Sequence, residues 1–454
     1  MTTIAFVLGV LFMATGVAAS IALHEVGHLV PAKRFGVRVT QYMVGFGPTL
    51  WSRRGGETEY GVKAIPLGGY IRMIGMFPPR KGDRPGTVRV SSTGRFSQLV
   101  DEARAASLEE VRPGDENRVF YKLSVPQKVV VMMGGPTMNL LIGVVLLTIL
   151  VTVHGVATPR EGAVVASVSA CVVPVTEVGE ATTCTNQPQT PAFAAGILPN
   201  DEIIAVAGQP VRDPHDVGSL IRPRVDQPTD IVVARDGDRL TVTATPIRNV
   251  VPVVDETGNP LTNADGTVRT TEAGYLGVRS TEPVEYVSQP VTAVPGIVWG
   301  FVTGTAEALV HVPERMVGVW NAAFGGAERE VDSPMSVVGV GRVAGEASGG
   351  KYDSLVGESV GDKMWFLVGL LAALNFMLFL FNLIPLLPLD GGHVAGALWE
   401  GLKRQIAKLR GRPDPGYVDV AKALPIAYTV SMVLLGASLL LIYADLVKPV
   451  NLGG

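Results

Sequence analysis

The sequence predicts a polytopic α-helical membrane protein of about four spans, with a β-rich domain outside the bilayer. Three observations carry that prediction. Mean hydropathy is positive, at +0.32, and charged residues make up only 17% of the 454, where soluble domains average nearer a quarter. The charge deficit is concentrated in four apolar segments, 3–30, 128–153, 364–388 and 424–447, each long enough for a membrane helix of roughly 20 residues. Between the second and third lies a long stretch of short apolar alternations punctuated by Gly, Pro and Asp, the pattern of a small β fold.

The first segment, "TIAFVLGVLFMATGVAASIA", carries no charge. No Lys or Arg precedes it, whereas a secretory signal peptide has a basic n-region. It reads as a retained helix. Orientation follows from the loops. Residues 31–126 hold sixteen Lys/Arg against nine Asp/Glu, and 391–423 hold six against three. The long loop 155–363 holds fourteen against twenty-six. Much of that loop is too far from the bilayer to count, but its flanks are less basic than "PAKRFGVR" or "GLKRQIAKLR". Both basic loops therefore go to the cytoplasm, and 155–363 and both termini go outside.

One further stretch, 291–310, "VTAVPGIVWGFVTGTAEALV", is apolar enough to raise the question of a fifth span. Pro295, Glu307 and several glycines weaken it, and it reads as an amphipathic helix against the outer membrane surface. The net charge is −3, and no basic patch interleaved with aromatics occurs. Nucleic acid is excluded as a partner.

The chemistry is concentrated at the end of the first span, in "IALHEVGHLVPAKRFG", 21–36. Positions i and i+4 share a helix face. His24 and His28 can thus offer two imidazoles to one metal, with Glu25 beside them to take a proton from an attacking water. Ionisable side chains are costly in a membrane helix, so a group of three marks function. Catalytic zinc takes a third protein ligand and keeps one position open. Asp390 is the only acid in "NFMLFLFNLIPLLPLDGGH", 375–393, after an apolar run broken by Pro385 and Pro388. With 291–310 outside, Asp390 reaches the depth of the histidines. A crossing there would send it to the opposite face.

An HExxH at the end of an N-terminal span with a distant NxxPxxxLDG resembles the site-2 protease family of intramembrane zinc metalloproteases. The similarity covers nearly the whole chain and is strongest to the regulator-of-sigma-E protease branch. "VRVTQYMVGFGPTLWSRRGGETEYGVKAIPLGGYIRM", 37–73, resembles the family's membrane-associated, re-entrant β region, and "GGPTMNLLIGVV", 134–145, its second-span motif. The resemblance implies that His24, His28 and Asp390 bind Zn2+, that Glu25 is the general base, and that Asn382 helps to hold substrate. It also favours "VGFGP", with Gly45, Phe46 and Gly47, as an edge to which an unwound substrate adds as a strand; otherwise those residues form a plain hairpin.

Residues 160–248 contain "AAGILPNDEIIAVAGQPV", which resembles a PDZ core. One such domain is found, either as a peptide-binding groove or as a filter against bulky ectodomains. An insertion before the motif holds both cysteines, Cys171 and Cys184, as a candidate disulfide or as two free thiols. The expected organisation is the first helix with the zinc motif at 1–36, the β region and loop at 37–126, and the second helix at 127–156. The PDZ-like domain follows at 157–250 and an extracytoplasmic linker with amphipathic helices at 251–362. The third helix takes 363–392, a cytoplasmic loop 393–423 and the fourth helix 424–448. By resemblance the chain sits in a bacterial plasma membrane and cuts single-pass membrane proteins, typified by anti-sigma factors already clipped by an upstream site-1 protease. Two other classes compete. A catalytically silent PDZ scaffold would not need His24, Glu25, His28 and Asp390 together. A metal transporter would need polar side chains along the second and fourth spans, and "VVVMMGGPTMNLLIGVVLLTILV" has almost none.

Overall fold

The computed structural model describes residues 3–79, 100–105, 107, 110–172, 187–235, 237–253, 261–263 and 268–452. Its contacts divide the chain into two compact units, His154–Gln289 and the remainder.

In the larger unit, helix α1 (Thr3–Arg34) is followed by strands β1 (Val39–Gly55) and β2 (Thr58–Met73) and by helix α2 (Val125–Ile149). After the smaller unit come α4 (Val294–Val310), α5 (Val312–Phe324), α6 (Val337–Ser348), α7 (Val360–Leu383), α8 (Asp390–Leu409) and α9 (Leu424–Val447). Local chemistry sets the ends. α1 stops where Gly36 takes a positive φ of 82°, a backbone state that glycine reaches without strain. A reciprocal capping box between Ser124 and Gln127 opens α2, and one between Ser359 and Asp362 opens α7, each satisfying orphan N–H groups. α7 ends at Leu383, two residues before Pro385, and the chain passes through 384–389 into the first turn of α8 at Asp390.

Among the described residues, five helices are long and apolar enough to cross a membrane: α1, α2 with its continuation to His154, α4 with the preceding turn, α7, and α9 with its preceding turn. That is one more than the four spans expected from the sequence. Their packing defines their directions. α1 and α2 run antiparallel and touch backbone to backbone: a Cβ on Gly27 would meet Gly134 O at 2.2 Å, and one on Gly134 would meet Gly27 O at 1.9 Å. Small residues at such a crossing let two membrane helices close up. α7 runs parallel to α1, with Gly16 against Leu371 and Ser20 bonded to Asn375. It runs antiparallel to α2, with Gly143 against Phe376 and Gly369 against Leu150. The end of α2 and the start of α7 therefore lie on one face of the helix layer. α4 packs on these two helices through Val294 and its neighbours, with Phe301 against Phe376 at 5.4 Å.

Asn375, fully buried, donates to Ser20 Oγ at 3.0 Å and to Leu371 O at 2.9 Å. This bond ties α7 to α1 one turn before His24. Bonds of this kind between membrane helices average about 0.6 kcal/mol and reach about 1.7. Asn375→Leu is expected to lower the thermal midpoint in micelles by a correspondingly small amount and to leave zinc content unchanged. A midpoint at or above the parent's would remove the bond's stabilising role.

The β1–β2 hairpin folds back on itself. Residues 41–44 pair with 69–72 on one side and with 59–62 on the other, with register breaks around Phe46 and Thr49. It is docked on α1 by the Tyr42 hydroxyl, which donates to Ala22 O at 2.8 Å.

The smaller unit is an antiparallel sheet in the order β11-β4-β5-β7-β8, formed by Val278–Thr281, Val164–Val168, Glu202–Val206, Thr229–Arg235 and Asp238–Ala244. β6 (Gln209–Pro210) pairs with β5, and the remaining strands form two separate ribbons, β3 (Val156–Pro159) with β12 (Val284–Val287) and β9 (Ile247–Pro252) with β10 (Thr270–Tyr275). Helix α3 (Pro214–Ile221) covers the sheet, burying Val217 and Ile221 among Val165, Ile203, Ile231 and Val233. Arg235 forks onto Asp201 with two 2.7 Å bonds, which pins the "LPND" turn. Hydrogen bonds from Arg160 hold the Glu202 carboxyl below the usual range. Strands β9–β12 belong to this unit although the sequence reading counts most of that stretch as linker. Cys171 is buried, and its backbone bridges to Gln189. Cys184, the other half of the candidate disulfide, lies outside the described residues.

Candidate metal centre

α1 delivers two imidazoles and α8 one carboxylate to a single point. His24 Nε2 and His28 Nε2 are 3.2 Å apart. Asp390 Oδ2 is 3.4 Å from the first and 3.3 Å from the second. Zinc bonds nitrogen and oxygen at about 2.0–2.2 Å, so two ligand atoms of a tetrahedral site stand roughly 3.3–3.5 Å apart. The three edges fit that figure. Asp390 occupies the first turn of α8, where free N–H groups and the helix dipole favour a carboxylate.

α2 forms the wall behind the histidines. His28 Nδ1 lies 2.8 Å from Val131 O; a carbonyl only accepts, so Nδ1 carries the proton and Nε2 is left with its lone pair. Pro136, inside α2, has no N–H for the helix ladder and loosens it at this level. Gly135 faces the cluster. A Cβ there would stand 2.2 Å from His28 Nε2 and 2.6 Å from His24 Nε2, far inside ordinary contact. Only glycine leaves both imidazoles room at this position. Among the described residues, His24, His28 and Asp390 form the one such group of potential ligands.

Glu25 is 8% exposed and lies against β2. A Cβ on Gly69 would stand 2.9 Å from Glu25 Cγ, and the Ile71 backbone N–H faces the carboxylate. The strand edge beside the candidate base is therefore 69–71. Gly45 and Gly47 have φ of 93° and 83°, and Phe46 pairs with Ile65, so 45–47 is a kink in β1 rather than a straight free edge. Phe46 connects the kink to that edge by stacking on Tyr70 at 6.1 Å. Asn382, in the last turn of α7, donates to Leu378 O of its own helix at 3.0 Å.

The match to a known family covers all of these residues. The sequence profile of peptidase family M50 extends over residues 12–423. The chain belongs to peptidase family M50. Among M50 relatives it is 35% identical to zinc metalloprotease Rip1 of Mycolicibacterium smegmatis, over 98% of this chain and 99% of that one. It is 33% identical to zinc metalloprotease Rip1 of Mycobacterium tuberculosis, over the same shares. Metalloprotease MmpA of Caulobacter vibrioides is 25% identical over 85% of this chain and 84% of its own. This M50 peptidase is thus a zinc metalloprotease of the site-2 protease type, a hydrolase that works in the membrane with zinc as its cofactor.

Sequence reasoning did not single out Gly135, Asn139 or the 69–71 edge. Gly135 and Asn139 stand in the second-span motif, and an amide in an otherwise apolar span was a signal in itself.

Proposed function

We propose that this peptidase cuts single-pass membrane proteins within or beside their spanning helix. In this reading His24, His28 and Asp390 hold the zinc and Glu25 is the general base. The observation that carries it is the three-donor cluster at tetrahedral spacing with a buried carboxylate beside it. Zinc held there supplies a Lewis acid for the scissile carbonyl and lowers the pKa of a water toward about 7. Glu25 accepts the attacking water's proton and returns it to the leaving amine. A substrate helix must unwind to expose its peptide bond. The edge at Gly69–Ile71, next to Glu25, is suited to take the freed strand by backbone addition, and the Phe46–Tyr70 stack lies beside that path. Asn382 stays a candidate substrate contact, as the resemblance implies.

The zinc site faces the cytoplasm in this reading, and both termini and 154–289 lie outside. The basic loops support that, and so does the shared face of the end of α2 and the start of α7. With both on one face, 154–359 makes no net crossing, which supports the reading in which α4 does not span and four helices do. The sheet with its covering helix supports a PDZ-like domain, acting as a peptide groove or as a size filter. An outside location also suits a Cys171–Cys184 disulfide. The substrate class is the anti-sigma type, trimmed first by another protease. A silent scaffold has no use for the complete set of site residues.

The test is cleavage of a tagged single-pass reporter in membranes by the parent and by Glu25→Gln, with bound zinc measured in both. The variant is expected to lose roughly 100-fold or more in cleavage while keeping its zinc. Equal cleavage would remove Glu25 as the base.

A further inference from the structure

Asn139 lies on α2 and is 1% exposed. Its side-chain nitrogen is placed 3.1 Å from His24 Nδ1, and its Oδ1 is buried with no hydrogen-bond partner. In that orientation the amide donates to a lone pair on Nδ1. A neutral imidazole would then carry its proton on Nε2, the atom aimed at Asp390 and His28. That tautomer has no lone pair for a metal at Nε2. It also strands an amide oxygen in a buried site, and native structures seldom leave one so. The two ends of an Asn amide are distinguished by their hydrogen bonds and not by shape. Turned by half a revolution, the amide gives Oδ1 a donor, His24 Nδ1–H, and leaves Nε2 free to bind metal.

We infer that Asn139 is a positioning residue: its Oδ1 accepts a hydrogen bond from His24 Nδ1–H, which fixes the tautomer in which Nε2 binds zinc. α2 then does the same for both imidazoles, through the Val131 carbonyl at His28 and through Asn139 at His24. Partners of this kind orient a metal-bound imidazole and raise its basicity. They also hold the ring in place before metal arrives, because each Nδ1 is anchored to a helix that crosses α1 at the Gly27–Gly134 contact. No residue of this second layer needs to touch the substrate.

The inference rests on the zinc-site reading above, and the experiment separates the two. The full chain, purified in micelles, is loaded with zinc and titrated with a competing chelator as parent, Asn139→Leu and Asn139→Asp. Thermal midpoints of the metal-free forms are measured alongside. Asn139→Leu is expected to bind zinc about 10–100-fold more weakly at a metal-free midpoint close to the parent's. Asn139→Asp, which can only accept, is expected to hold zinc at least as tightly as the parent. Asn139→Leu matching the parent would overturn the inference. So would zinc lost from Asn139→Asp, because Asn139 would then be a donor; that result decides the matter even if the leucine variant fails to fold. A parent that binds no zinc would sink the zinc-site reading and this inference together.

Discussion

Gly135→Ala is expected to abolish zinc binding and cleavage together. The added methyl would stand 2.2 Å from His28 Nε2 and 2.6 Å from His24 Nε2. Ordinary contact between a carbon and a nitrogen needs more than 3 Å, so at least one imidazole must move by about 1 Å, far more than a bond tolerance of about 0.2 Å allows. The rings have little freedom to yield. His28 is anchored to Val131 O, His24 to Asn139, and α1 already touches α2 backbone to backbone. The methyl is covalently fixed, so the rings must give way and the ligand geometry is lost. Metal content of the purified variant is the measurement, and a value at background is the expected result. Gly369→Ala is the control: its methyl would lie 3.4 Å from a Leu150 side-chain carbon, an ordinary contact, so zinc should stay. Stoichiometric zinc in Gly135→Ala would show that the two imidazoles can yield to the methyl without losing the ion.

How much of this centre could be read in the sequence depends on how far each feature is local. The pair His24 and His28 was legible because i, i+4 is a helical constant. Asp390 was legible because it is the lone acid in its run, at a depth that topology makes equal to that of the histidines. Gly135 was not. Its meaning lies in what a side chain would strike on another helix, and "GG" alone carries no such information. Glycine content and the family resemblance point to residues 45–47 as an edge. The same glycines bend β1 through positive φ, and the edge next to Glu25 falls 24 residues further on, at Gly69. The 291–310 stretch shows the limit of composition from the other side. Length and apolarity admit α4 as a span; only the relative directions of α2 and α7, a long-range property, count against it. Strands β11 and β12 escaped for the same reason, since the Val278–Val168 and Val284–Pro159 pairings join residues more than a hundred positions apart.

Glu400→Ala should be the most disruptive substitution away from the centre. Glu400 is 2% exposed and takes Lys128 Nζ from α2 at 2.9 and 3.0 Å. It also accepts from Arg404 at 3.0 Å and from the Val418 N–H at 3.0 Å. The Tyr417 ring lies 5.2 Å from Lys128 Nζ and 5.3 Å from the Arg404 guanidinium. One carboxylate thus balances two cations and one backbone donor. Removing one member of a buried pair costs about 3–5 kcal/mol, because the other charge is left uncompensated. That is a large part of the roughly 5–15 kcal/mol that holds a domain together. The damage should reach the metal. α8 bears Asp390 ten residues before Glu400, about 15 Å along the helix, and the Lys128 pair ties that helix to the wall behind the histidines. A steep fall in thermal midpoint together with reduced zinc content is the expected result. Lys128→Met combined with Glu400→Met removes both charges, and should recover much of the midpoint because apolar replacement of a buried pair is often neutral; Arg404, 30% exposed, can turn to water. If Glu400→Ala melts with the parent, the pair is not an anchor. If the midpoint falls while zinc remains stoichiometric, the anchor supports the fold without positioning Asp390.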